Sequence, residues 1–473
     1  MAIRRTLVRG GRILSMDPNI GQLPQGDVLI EDGVIRAVEP SLGEVDAEVI
    51  DATGHIVAPG LIDTHRHTWQ TQMRALCTDW TLTDYLFGIR FSVSPAYTPQ
   101  DVHLGNLLGA VDALESGVTT ILDFSHCNNT PEHADAAING LQDAGVRAVF
   151  GYGFFESNPM APPHFSEHSA RLKDFARLAD TYFPSRSGLL TLGVALTEVG
   201  VIPLSATAAE VAAARDRSAI QVTHTGCVWT LPNGITELDA AGLIGPDQVH
   251  VHCNTLTEEE WRILARNGAK VSISVETELN MGMGRPAFAA CERHGIAPTL
   301  SCDIVSLNSG DLFAQLRQGL GFKRWADTEA VNLAGADPER VSTTALEALR
   351  WSTVNAADAL GLGDRIGSLT PGKQADVIIV GGPGTSQHPV LDAAGTLIFQ
   401  TSTRDVRTVL VAGRTVKRDG VMIDVDLPTL LTRAENSAEE VMARVHASVP
   451  AFPPVPPGGF TVIRDMASAH LTA

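Results

Sequence analysis

Five side chains in this sequence have the types and placement to do chemistry together: His65, His67, His224, His252 and Asp303. His65 and His67 close an apolar run, in Asp63-Thr64-His65-Arg66-His67. Alternate residues of a strand point to the same side, so both imidazoles can face one point. His224 ends a second such run, His252 a third and Asp303 a fourth. Imidazoles and a carboxylate that leave coordination positions open suit a catalytic Zn²⁺, with Fe²⁺ as the alternative. Neutral imidazoles around a divalent ion bring the pKa of bound water toward ~7. The expected chemistry is therefore hydrolysis by metal-bound hydroxide.

The elements that must position these residues alternate along the chain. Short apolar runs predict strands at 56–63, 119–124, 148–151, 189–195, 220–223, 249–252, 270–274 and 298–303. Amphipathic stretches at 101–116, 131–144, 207–217 and 257–267 predict helices between them. Strand alternating with helix implies parallel strands, and eight such units predict an α/β fold, a (β/α)8 TIM barrel. The five residues then fall at the C-terminal ends of strands one, five, six and eight, the face on which barrels carry their chemistry. An open doubly wound sheet is the alternative, but no glycine-rich phosphate fingerprint follows the first strand. The first 60 residues and the stretch from Ala375 to Val416 share a vocabulary of short strands and glycine turns, as in Glu31-Asp32-Gly33 and Ala412-Gly413-Arg414. Both ends of the chain are expected to build one smaller composite β-sandwich domain. The expected boundaries are 1–58 and 368–425 for the sandwich, 59–367 for the barrel, and 426–473 for a C-terminal helix and proline-rich tail. Helices are predicted over 343–360 and 427–447, and the tail from Pro450 to Gly459 as extended chain.

Composition narrows the function classes. Of 473 residues, 44% are hydrophobic and 19% charged, which is globular. A formal net charge of −19 repels phosphate backbones and anionic lipid, so neither nucleic acid nor a membrane is an expected partner. No apolar run approaches the ~20 residues of a membrane helix. The N-terminus lacks a signal peptide's apolar region. Six cysteines without paired spacing fit a reducing compartment, and a cytoplasmic location is expected. The expected partners are a small-molecule substrate and further copies of the chain, in a homo-oligomer (dimer or higher).

The motifs resemble those of the amidohydrolase superfamily, in particular the branch holding cytosine deaminase, adenosyl-homocysteine-type deaminases and triazine hydrolases. The resemblance rests on Pro59-Gly60-Leu61-Ile62-Asp63-Thr64-His65-Arg66-His67 with Gln70 after it, on Gly117-Val118-Thr119-Thr120-Ile121-Leu122-Asp123, and on Gly372-Lys373-Gln374-Ala375-Asp376. It spans roughly residues 5 to 420. It implies that His65, His67, His224 and Asp303 hold the metal, and that His252 holds the water or the substrate. Asp303 would also accept the water's proton, and a protonated His252 would stabilise the oxyanion. The fourth strand, 189–200, has no lysine to carry a carboxylate bridge, so one divalent metal is expected rather than two. Hydrolytic deamination of a small heterocyclic or aromatic amine is the implied reaction.

One position departs from the pattern. Most deaminases of the branch carry a proton-shuttling glutamate three residues after the fifth-strand histidine, where this chain has Cys227. A thiol of ordinary pKa ~8.5 is a different acid. Hydrolysis of an amide, cyclic amide or carbon–halogen bond is therefore the alternative reaction, and a non-catalytic binding relative the alternative class. Glu156, Glu198, Glu276 and Glu278 are candidate replacement acids, and His126 is a candidate pocket residue. Candidate pocket walls are Trp69, Trp80, Tyr85, Phe87, Phe154, Phe155, Met281 and Met283, with Gln70 and Cys227 beside them and Arg285 as a candidate anion partner.

Overall fold

The structure is a computed structural model that describes residues 4–154, 164–382, 384–449 and 451–471. The N-terminal strands are β1 (Arg5–Leu14), β2 (Gln22–Glu31), β3 (Val34–Glu39), β4 (Glu48–Asp51) and β5 (Ile56–Pro59). The returning strands are β14 (Val377–Val380), β15 (Val406–Val411), β16 (Arg414–Arg418) and β17 (Val421–Met422). They form one nine-stranded mixed sheet, in which β5 pairs antiparallel with β14 and so joins the two ends of the chain. Val8, Ile30, Val57, Val377 and Leu410 share its apolar core. The two acidic- and glycine-turn hairpins meet tip to tip. A Cβ on Gly33 would lie 2.4 Å from the Ala412 carbonyl oxygen, and its φ of +82° is a value glycine adopts freely.

Between these halves lie eight parallel strands: β6 (Leu61–Arg66), β7 (Val118–Ser125), β8 (Arg147–Gly153), β9 (Leu190–Ala195), β10 (Ile220–Thr225), β11 (Gln248–His252), β12 (Lys270–Ile273) and β13 (Pro298–Leu300). A parallel bridge between Arg66 and Asp303 brings the first strand to the end of the last, completing the barrel that strand–helix alternation predicts. Ile62, Leu122, Val149, Val222 and Val249 fill its interior. The run 56–63 is two strands, not one. The chain leaves the mixed sheet at Pro59 and enters the barrel at Leu61, and a Cβ on Gly60 would overlap the Thr119 side chain. Arg147, at the base of β8, ties the barrel to the mixed sheet with two bonds to Asp376, at 2.7 and 2.9 Å.

Two expected elements differ. The helix predicted over 343–360 is broken into Ala345–Leu349, a 3₁₀ turn at Arg350–Ser352, and Val354–Ala359. Thr353 sits at the break with φ −134° and ψ −100°, and its hydroxyl donates to the Leu349 carbonyl at 2.6 Å. The turn lets Ala356, Ala357 and Leu360 pack under the barrel strands. The tail holds a helix, Gly459–Ala467, beyond the proline-rich stretch read as extended. Among the described residues no helix is long and apolar enough to cross a membrane.

Candidate active site

The bridge that closes the barrel also builds the site. The Asp303 N–H donates to the His65 carbonyl at 3.0 Å, and the His67 N–H donates to the Asp303 carbonyl at 2.8 Å. This lacing places Asp303 Oδ1 3.2 Å from His65 Nε2 and 3.4 Å from His67 Nε2. Arg66, between the histidines, points the other way, and its Nε bonds Asp63 Oδ2 at 2.9 Å. Asp303 and His252 both hold positive φ, +60° and +76°, in a region that non-glycine residues visit at a cost.

His224 and His252 arrive from β10 and β11, each oriented by a glutamate. His224 Nδ1 lies 2.8 Å from Glu198 Oε1, and His252 Nδ1 lies 3.2 Å from Glu278 Oε1. Glu278 is itself fixed by the Ser274 N–H at 2.8 Å and by Asn254 Nδ2 at 3.2 Å. His252 Nε2 stands 4.0 Å from Asp303 Oδ2. His65, His224 and His252 form one group of ligand atoms within 4.8 Å of one another, and His65, His67 and Asp303 form a second. His65 belongs to both.

The electrostatics divide these imidazoles. Burial, opposed by the Asp303 carboxylate, lowers the His65 pKa to about 4. Burial, reinforced by His65, holds His67 well below its ordinary value. Burial acts against charge on His252 too, but the Glu278 hydrogen bond and the Asp303 and Glu278 charges outweigh it and raise that pKa. Asp303 resists its own burial, because the adjacent His65 and the field of the other imidazoles lower its pKa.

The residues fit a divalent cation. His67 Nδ1 faces the Phe124 carbonyl at 3.2 Å and His224 Nδ1 faces Glu198, so both rings carry their proton on Nδ1. Their Nε2 lone pairs then confront each other 3.3 Å apart. His65 is fully buried, and among the described residues neither of its ring nitrogens makes a hydrogen bond. Opposed lone pairs and an orphaned imidazole beside a carboxylate are costly without a shared cation, and neutral imidazoles are the form that binds one.

A cavity of about 470 Å³ opens on this cluster. His126, Cys227, Met281, Met283, Tyr85, Phe154 and Glu198 line it. Four expected pocket residues stand behind the wall instead. Trp69 is buried, and its Nε1–H donates to His126 Nδ1 at 2.9 Å. Gln70 is buried and spans Tyr85 Oη and Ser306. Trp80 packs on Phe452, and Glu278 is consumed by His252. Each has a local partner that draws it out of the cavity. Phe87 is buried outside the lining, Glu276 is bonded to Gln315, and Arg285 pairs with Glu329 at 3.4 Å on the surface. Phe155 and Glu156 lie outside the described residues. The sequence reading missed Arg90 and Arg171, buried cations on the lining, and the tail residues Ile463, Met466 and Ala467. The arginines carry no sequence signal. The tail residues do, since 463, 466 and 467 share a helical face.

The sequence profile of the amidohydrolase family matches residues 56–416, which takes in the last strand of the N-terminal sheet, the whole barrel and the return into β16. The chain belongs to the amidohydrolase family. It is 28% identical over 462 residues to a 5′-deoxyadenosine deaminase of Methanosarcina barkeri, covering 93% of this chain and 99% of that one. It is also 28% identical over 467 residues to a 5-methylthioadenosine/S-adenosylhomocysteine deaminase of Symbiobacterium thermophilum, covering 93% of this chain and all of the other. Among solved structures, an adenosine deaminase from Xanthomonas campestris with bound zinc superposes with a TM-score of 0.81 at 23% identity, over 93% of this chain and 98% of that one. The atrazine chlorohydrolase of Arthrobacter aurescens with zinc gives 0.80 at 22%, over 92% of this chain and all of the other. These two likenesses establish the fold of this amidohydrolase.

Proposed function

We propose that this amidohydrolase is a zinc-dependent deaminase of a purine nucleoside or a related heterocyclic amine. The observation that carries the reading is the orphaned His65 imidazole, buried where His67, His224, His252 and Asp303 converge. Deaminases of adenosine derivatives that match this chain over nearly their full length supply the substrate class. His65, His67, His224 and Asp303 are the residues that would hold the ion. A divalent ion there supplies Lewis acidity that makes water nucleophilic at neutral pH.

This chain's own residues do the rest. Asp303, kept ionised, accepts the proton of the attacking water. His252, whose affinity for a proton Glu278 and Asp303 raise, donates from Nε2 to the attacking oxygen and holds it against the amine-bearing carbon. The apolar cavity walls hold the ring flat over the cluster and exclude other water. Water adds to the amine-bearing carbon and the displaced electron pair moves to the adjacent ring nitrogen. The proton taken by Asp303 passes to the leaving nitrogen, ammonia departs as that pair re-forms the ring double bond, and the hydroxy product tautomerises to the oxo form. Cys227 favours a second reading, hydrolysis of an amide or carbon–halogen bond, because neither needs the ring-nitrogen proton that a glutamate at that position provides. Ammonia release from 5′-deoxyadenosine, 5′-methylthioadenosine and adenosine by the zinc-loaded chain tests the first reading. Inertness on these nucleosides with release of amine or chloride from amides or chlorotriazines would replace it with the second.

A further inference from the structure

The C-terminal helix is bound to the pocket by more than proximity. Its residues Ile463, Met466 and Ala467 line the same cavity as His67 and Asp303. Ile463 is only 8% exposed, whereas Phe460 and Val462 in the same helix are 41% and 45% exposed. The helix is anchored at both ends. At its start, a Cβ on Gly459 would lie 3.0 Å from the Phe87 ring. At its end, the His470 N–H donates to the Gly200 carbonyl at 3.1 Å. A Cβ on Gly200, whose φ is +95°, would lie 2.4 Å from the Ala467 carbonyl oxygen, so the loop after β9 accepts the tail only with glycine there. Leu471 reaches the same loop, close to Gly200 and to Gly234 after β10. Val199, Val201, Ile202 and Leu231 from those loops continue the apolar surface that Ile463 and Met466 begin.

A cavity of about 470 Å³ is sized for more than one small ring. The titratable side chains of the lining come from the barrel strand ends and from Tyr85, Arg90, Glu167, His168 and Arg171, while the tail contributes only aliphatic and thioether carbon. We infer that Ile463 and Met466 are specificity-determining residues, forming an apolar subsite for the part of the substrate that does not react. The subsite selects an apolar substituent on the sugar side of a nucleoside over a hydroxyl. This rests on the deaminase reading and extends it from the reacting ring to the rest of the substrate.

Two arms test it. The first compares 5′-methylthioadenosine with adenosine, which differ in carrying a methylthio group or a hydroxyl at the 5′ carbon. In Ile463→Ala/Met466→Ala, kcat/KM for the methylthio compound falls about tenfold more than that for adenosine, chiefly through KM, with zinc content retained. Equal losses on both, or none, overturn the inference. The second arm needs no turnover. Cys227 lines the cavity and is the half-buried cysteine, the other five being buried. In the same full-length Ile463→Ala/Met466→Ala chain, with the circular dichroism of wild type, N-ethylmaleimide at alkaline pH alkylates Cys227 at least tenfold faster than in the wild-type chain, as mapped by peptide mass. Unchanged alkylation shows that the helix does not wall the cavity and overturns the inference whatever the substrate. Inertness of the wild-type chain on both nucleosides with faster alkylation in the variant overturns the nucleoside reading and leaves the tail as the apolar wall of another substrate's site.

Discussion

Glu198 Oε1 lies 2.8 Å from His224 Nδ1, on the far side of the ring from the His65–His67–Asp303 cluster. The carboxylate fixes the proton on Nδ1 and leaves Nε2 bare toward the cluster. Although burial works to raise it, the hydrogen bond from His224 lowers the Glu198 pKa, so the group acts as an ionised acceptor. Such partners of a metal-binding imidazole typically contribute 10–100-fold in metal affinity. Glu198→Gln should therefore weaken zinc binding by about that factor in a chelator competition, with the thermal transition of the metal-free chain unmoved. Unchanged affinity would mean that the ring holds its tautomer without Glu198.

His67→Ala and Asp303→Ala should each abolish turnover. Either removes a group that converges on His65, while the barrel core of Ile62, Leu122 and Val149 stays intact. Far-ultraviolet circular dichroism should match wild type, and zinc per chain should fall. Measurable turnover in either variant would remove that residue from the mechanism.

The placement of His65 and His67 was legible because two facts are local: strand alternation and the position of a strand's end. The barrel was legible for the same reason, since each βα unit announces itself in a short window. What stayed hidden is set by contacts between distant segments. Glu198 and His224 are 26 residues apart, one in the loop after β9 and the other on β10, and only the register of β9 against β10 makes them partners. Trp69 reads as a pocket wall by composition, yet its indole N–H turns to His126, 57 residues on, because a buried donor must be satisfied. The tail helix was masked by the prolines before it, although Ile463 and Met466 already had helical spacing.

His252→Asn should lower kcat by ~100-fold or more while zinc stays bound, if Nε2 acts on charge that develops only in the transition state. The position is finely balanced, since His252 also lies within 4.8 Å of His65 and His224. Loss of zinc on this substitution would make His252 a ligand and reassign its role.

Glu276 provides a pH test away from the site. Burial and the neighbouring Asp311 charge push its pKa up to about 7, against a bond from Gln315. The folded state therefore binds this proton more tightly than the unfolded chain does. Its stabilising contribution is complete below the ordinary value of 4.5 and is lost as pH rises through about 7. Glu276→Gln keeps the amide contact and removes the titration. The variant should melt above wild type at about pH 8, and the gap should close near pH 4. A gap independent of pH would show that Glu276 does not titrate in this window.

Cys227 stands where most deaminases of this branch carry a proton-shuttling glutamate, and it lines the cavity. Burial, together with the charges of Glu198, Glu278 and Asp303, raises its thiol pKa well above the ordinary value. A thiol so disfavoured as thiolate is a poor partner in proton exchange near neutral pH, because general acid–base catalysis needs a pKa near the working pH. Its contribution is then one of shape, a small soft side chain against the substrate ring. Both Cys227→Ser and Cys227→Ala should lose less than about tenfold in kcat, with zinc retained, because neither removes a proton transfer. Cys227→Glu restores the carboxyl that the position lacks. If proton delivery to a ring nitrogen limits turnover, that variant should gain in kcat on the aminopurine nucleosides. A loss of about a hundredfold in both Ser and Ala variants would match the ~10²–10⁴-fold typical of a positioned acid or base and make the thiol catalytic.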